Sequence, residues 1–227
     1  MQNKNVWIGE MRNTITITKQ LLSRLSIRIR SDQYRIFERL IHPTPTDKIL
    51  DVGANSDETL PDSNMLEKLY PYPKNLTAAT IEDKTKLEAL YPKIKVVKIL
   101  QRKKLPFKNN QFDIVVSWAT IEHVGNLKDQ TFFLKELCRV GKKIFVTTPY
   151  RGCIYEPHTG TFFLHWLPIK VFRFYLQLKG DSIWASDQVL NPLFTRDIKG
   201  MLPRTKYSII VYRLFGILPS HLLLIIS

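Results

Sequence analysis

An α/β fold built on a parallel sheet is predicted by two features of this chain. Apolar, β-branched runs alternate with helically spaced apolar stripes through its middle. With 227 residues and 44% hydrophobic content, the chain can bury one full core but not two comfortable ones. One domain with decorations is expected.

The elements follow in order. Strands are expected at Lys48 to Val52, Leu76 to Glu82, Ile94 to Leu100, Phe112 to Trp118 and Lys143 to Thr148. Between them, Asn64 to Tyr70 and Lys84 to Tyr91 have helical spacing. Leu127 to Val140 puts Phe133, Leu134, Leu137 and Val140 on one face, with Gly141 as the stop. Upstream, Tyr34, Phe37, Leu40 and Ile41 share a helical face that His42-Pro43-Thr44-Pro45 should end. Residues 1–31 are expected to be a basic arm or lid, whose stripe of Leu21, Leu22, Leu25 and Ile29 beside Arg24, Arg28 and Arg30 suits packing over a pocket, a partner or an anionic membrane. Residues 32–227 then form the domain. After the fifth strand, an aromatic-rich helical insertion is expected at about 150–195, followed by a short helix near Thr195 to Met201 and strands at Tyr207 to Tyr212 and His221 to Ile226.

Composition narrows the function classes. Cys138 and Cys153 show no CxxC or Cys/His spacing, so neither a disulfide framework nor a zinc site is indicated, and a reducing, cytoplasmic setting is expected. The richest apolar stretch, Ile209 to Ile226, is broken by Arg213, Pro219 and His221, and reads as two short buried strands instead of a membrane span. The first thirty-odd residues lack a signal-peptide core. They are basic and poor in acids, a bias shared by organelle transit peptides and exposed amphipathic arms.

The net charge is +14, and Lys93, Lys95, Lys98, Arg102, Lys103, Lys104 and Lys108 form a run without an acid. Such a run attracts phosphates, anionic lipid or an acidic substrate. No aromatics interleave it as base stacking requires, so a solvated face is the expected role and nucleic acid is disfavoured.

Four motifs, LDVG at 50–53, LPF at 105–107 followed by FDIVVSWATIEHV at 112–124, and VTTPYR at 146–151, resemble in order and spacing the class I S-adenosylmethionine-dependent methyltransferases, in particular the type 11 branch. The resemblance implies a doubly wound, Rossmann-like, seven-stranded and mostly parallel sheet with an antiparallel last strand and helices on both faces. It also implies S-adenosyl-L-methionine at the carboxyl edge of the first strands.

Carried over residue by residue, Asp51 and Gly53 hold the methionine end. Asn55 stands where the family has a second glycine and should keep the turn by a left-handed backbone. Asp57 stands at the third glycine, as a cap or Asx turn. Glu82, with Asp83 as its one-residue alternative, meets the ribose hydroxyls, and Gln101 replaces the acid that reads the adenine amino group. Ser117 and Trp118 flank the cofactor.

His123 belongs to the family's Glu-His pair with Glu122. It and the Glu156-His158 pair after the fifth strand are the catalytic candidates, and Arg151 and Tyr155 the substrate contacts. No metal ligand set is expected. The implied function is methyl transfer to a small-molecule acceptor such as a sugar, lipid precursor or other metabolite. Its alternative is a methyltransferase-like binding or regulatory protein, suggested by the lost glycines; a nucleic-acid methyltransferase ranks third. Basic surface leaves an anionic substrate or peripheral membrane contact as further expectations.

Overall fold

The computed structural model describes residues 23–202 and 206–227. Leu21, Leu22 and most of the expected arm lie outside them. Helix α1 covers residues 23–41 without a break at Ser31 or Asp32, where the sequence suggests a boundary, and Leu25 and Ile29 continue the buried stripe of Tyr34, Phe37 and Ile41.

The central sheet is formed by β1 (Ile49–Val52), β2 (Leu76–Thr80), β3 (Lys95–Lys98), β4 (Phe112–Trp118), β5 (Gly141–Pro149), β8 (Tyr207–Leu214) and β9 (Leu218–Ile226). Its order is β3-β2-β1-β4-β5-β9-β8. Neighbours from β3 to β5 pair in parallel, while β9 runs antiparallel to both β5 and β8. The order reverses between β1 and β4, and this switch point is where an open α/β sheet forms its crevice.

Both faces of the sheet are covered, which is why its strands read as continuous apolar runs. Along β4, Val115 enters one core cluster and Ile114 and Val116 the other; along β5, Ile144 and Val146 oppose Phe145 in the same way. The first cluster includes residues of α4 (Leu127–Val140) and α6 (Thr195–Met201). The second includes residues of α1, α2 (Met65–Leu69) and α3 (Lys84–Leu90).

Helix α4 starts with a reciprocal cap. Asn126 Oδ1 accepts from the amides of Lys128 and Asp129, and Asp129 Oδ2 accepts from the amide of Asn126. At the other end, Gly141 is the stop the sequence suggests, but without a left-handed backbone. It is extended and opens β5, where an added Cβ would lie 2.4 Å from Val115 Cγ2. The last two strands also differ from expectation: β9 is largely buried, but β8 is an edge strand with alternate residues exposed.

The insertion is more than a helical cap. A two-stranded ribbon of β6 (Tyr155–Glu156) and β7 (Thr161–Phe162) leads through a turn to α5 (Ile169–Lys179), which ends on left-handed Gly180. Among the described residues, no helix is long and apolar enough to cross a membrane.

Candidate active site

The ends of β1, β2 and β4 and the turn after β3 enclose a cavity of about 310 Å3. Gly53, Asn55, Glu82, Gln101, Thr120 and His123 contribute its polar and backbone wall, and Ile81, Ile99, Leu100, Phe132 and Phe133 its apolar one.

Gly53 is required by two constraints at once. Its φ is +113°, and an added Cβ would sit 2.1 Å from Thr120 Oγ1. Across the cavity mouth, Ala119 is held at φ 45°, an uncommon conformation for a residue with a Cβ, placed where β4 gives way to the loop.

The loop after Gly53 works without further glycines, but not as the sequence suggests. Asn55 does not take the left-handed conformation. Its Oδ1 accepts the amide of Asp57 at 2.6 Å in an Asx turn, and its own amide donates to Asn64 Oδ1 at 2.9 Å. The left-handed residue is Asn64, φ 50°. Asp57 makes a second Asx turn to the amide of Thr59 at 2.9 Å, and that bond holds its carboxyl below the usual range. Side-chain oxygens thus replace glycine freedom.

Glu82 lines the cavity, whereas Asp83 turns to cap α3 through the amide of Thr85. The amide and hydroxyl of Ser56 both donate to Glu82 Oε2 at 2.7 Å, and Oε1 accepts no bond among the described residues. Lys98 Nζ binds the carbonyls of Ile81 and Glu82 from outside. Gln101 lines the cavity from the turn after β3, its amide 3.4 Å from the carbonyl of His123. Arg102 and Lys103 also line the wall, so part of the basic run is more than solvated surface.

Three expected cofactor contacts lie elsewhere. Asp51 is buried beneath the cavity, on the sheet face opposite Leu50 and Val52, and faces Glu67 of α2. Burial, and then the neighbouring Glu67, raise its pKa well above the carboxylate range. Ser117 is buried with its hydroxyl on the carbonyl of Val52 at 2.8 Å, and Trp118 packs against Phe37 and Phe145. Alternation along β4 turns these side chains into the sheet's own packing.

Beyond His123 lies a second polar cluster. His123 Nδ1 bonds the carbonyl of Val189 at 2.8 Å, which fixes the proton on Nδ1 and leaves Nε2 as an acceptor. His158 Nδ1 lies 2.6 Å from Glu156 Oε1, and the two imidazoles stand edge to face at 5.0 Å. Glu156 is anchored by the amide and hydroxyl of Thr159, both on Oε2 at 2.6 Å. Burial disfavours the charged form of both partners. In Glu156, the His158 and Thr159 bonds outweigh burial and lower the pKa, while in His158 the Glu156 bond and the Glu156 and Glu122 charges raise it. The catalytic candidates His123, Glu156 and His158 therefore meet beside the cavity, although only His123 lines it.

Arg151 and Tyr155 do not reach it. Arg151 donates to the carbonyls of His165 and Leu167 and lies over the Phe194 ring, so its guanidinium ties the insertion to the sheet. Tyr155 stacks on Phe162. The Cys153 thiol is buried and pushed up to about 12, by burial first and then by Glu156, which makes it a poor nucleophile. Sequence reasoning missed Thr120, whose role over Gly53 has no sequence signal, and Phe132 and Phe133, which read as ordinary helix.

Residues 50–144 match the family described as "Methyltransferase domain". No curated protein matches the chain. A methyltransferase from Methanosarcina mazei is similar in structure at 15% identity and TM-score 0.53, with 82% of this chain and 95% of that one covered. One from Thermotoga maritima is similar at 14% identity and TM-score 0.55, covering 93% and 95%. A Rhodobacter sphaeroides chain provisionally described as a zinc-dependent alcohol dehydrogenase has TM-score 0.55 at 11% identity, covering 85% and 87%. Likeness at this level speaks for the fold alone. By the family match and by its strand order, the chain is similar over residues 50–144 to the class I S-adenosylmethionine-dependent methyltransferases.

Proposed function

We propose that the chain transfers a methyl group from S-adenosylmethionine to a small amphiphilic acceptor of the lipid-precursor class. The observation that carries this reading is the adjacency of the cavity walled by Gly53 and Glu82 to the His123–His158–Glu156 cluster.

The residues present fit the cofactor. Gly53 offers backbone without a Cβ, Glu82 keeps one carboxylate oxygen without a partner among the described residues, and Ile81, Ile99 and Leu100 offer an apolar slot for a base. When bound, the cofactor supplies an electrophilic methyl on a good leaving group. The protein's share is then alignment and exclusion of water. An acceptor hydroxyl must also lose its proton, and the His123–His158–Glu156 cluster is the polar machinery placed to hold and deprotonate it.

The acceptor class rests on the insertion that carries Glu156 and His158. Phe162, Phe163, Trp166, Val171, Phe174 and Leu178 are 46–73% exposed, and from Phe162 to Lys179 there are three cations and no acid. An apolar surface with interleaved cations suits an anionic bilayer. The test is S-adenosylhomocysteine release by the purified chain with acyl, isoprenoid and glycosyl lipid acceptors, and with RNA. Turnover with a lipid class supports the reading; turnover with RNA alone overturns it.

A further inference from the structure

We infer that Glu122, His123 and His158 form a binding site for one divalent first-row transition-metal ion on the acceptor side of the cavity. The inference rests on the proposed methyl transfer only for the ion's use.

One donor atom from each of the three residues lies within 4.8 Å of the other two. Glu122 is fully buried, and its Oε1 has no hydrogen-bond partner among the described residues. A buried carboxylate oxygen left unpaired is costly. His123 Nε2 lies 3.9 Å from it. Because Nδ1 must donate to the Val189 carbonyl, Nε2 is also an acceptor in the neutral imidazole. Two acceptors thus face each other without a donor, an arrangement that a cation satisfies.

The surroundings match those of metal ligands, whose remaining polar atoms are usually anchored. Thr148 donates to Glu122 Oε2 at 2.9 Å, Val189 accepts from His123 Nδ1, and Glu156 holds His158 Nδ1. Each ligand keeps one atom spare. Two imidazoles and one carboxylate suit zinc, manganese or iron better than magnesium or calcium. Metal bonds of about 2.1 Å place donors roughly 3 to 3.5 Å apart, so the most separated pair needs to close by at most about 1.3 to 1.8 Å. An ion there would polarise an acceptor hydroxyl, and His158 would serve as a ligand instead of removing the proton itself.

The test is titration of the metal-stripped full chain with Mn2+, followed by loss of the free-ion EPR signal, and with Zn2+ by calorimetry, at about pH 8 where imidazole is mostly neutral. One ion per chain is expected, with affinity reduced at least ~10-fold in Glu122→Gln and in His158→Gln, and unchanged in His42→Asn, an exposed histidine far from the cluster in sequence. S-adenosylhomocysteine binding, measured on the same samples, reports whether each variant is folded and tests the cofactor reading separately. Failure of the wild-type chain to bind either ion while it binds S-adenosylhomocysteine would overturn the site, as would equal binding by the folded Glu122 and His158 variants.

Discussion

Ser56 donates both its amide and its hydroxyl to Oε2 of Glu82, each at 2.7 Å. One residue of the loop after β1 thereby fixes the acid at the end of β2, with one oxygen still without a partner among the described residues. Ser56→Ala removes one of the two bonds and is expected to weaken S-adenosylmethionine binding about 3- to 10-fold, whereas Glu82→Ala should cost about 100-fold. Calorimetry on both variants checks the order. Equal, undiminished affinity would mean that Glu82 does not touch the cofactor.

Gly53→Ala should lower stability by about 2 kcal/mol or more and abolish cofactor binding, since a Cβ there meets Thr120 Oγ1 at 2.1 Å and φ is +113°. Adding Thr120→Ala should recover part of the loss by removing the clash, but not the backbone strain. Thermal melts of the single and double variants distinguish the two contributions.

The buried Asp51–Glu67 pair makes stability depend on pH. Asp51 is raised by burial and then by Glu67, and Glu67 is itself raised by burial. An acid whose folded pKa exceeds its unfolded value contributes stability that is present at low pH and is lost as pH rises through the folded pKa. Glu67→Gln, which removes one charge and can donate to an ionised Asp51, is expected to gain about 1 kcal/mol at neutral pH and little near pH 4. Urea denaturation at both pH values checks this; a loss at neutral pH would contradict it.

The exposed Trp166 and Phe174 on the insertion should drive binding to vesicles. Co-sedimentation with phosphatidylglycerol vesicles is expected for the wild-type chain and should fall about 10-fold in the Trp166→Ser/Phe174→Ser variant, while cofactor affinity stays unchanged. Binding indifferent to both substitutions would place any membrane contact elsewhere.

Much of the fold is legible because the sheet is buried on both faces. Phe112 to Trp118, Leu127 to Val140 and Thr195 to Met201 are bounded in the structure as in the sequence, each by a strong period or cap. The local conformation of the lost-glycine loop was less so. Asn55 suggested a left-handed turn, but that conformation passed to Asn64, nine residues on and tied to Asn55 by a side-chain bond the sequence does not signal. Strand polarity explains the other differences. Asp51, Ser117 and Trp118 stand at the right positions along β1 and β4, but a strand's two-residue alternation points them into packing, and the cavity is left to Gly53, Ala119 and Thr120. Arg151 looked like an anion contact because its charge is visible in sequence and its carbonyl partners are not.

The most direct measurement is calorimetric titration of the folded full chain with S-adenosylmethionine, alongside Glu82→Ala. One site per chain with micromolar affinity, strongly weakened in the variant, is the expected result. A folded chain that binds no cofactor, or binds it equally well without the Glu82 carboxylate, would contradict the account.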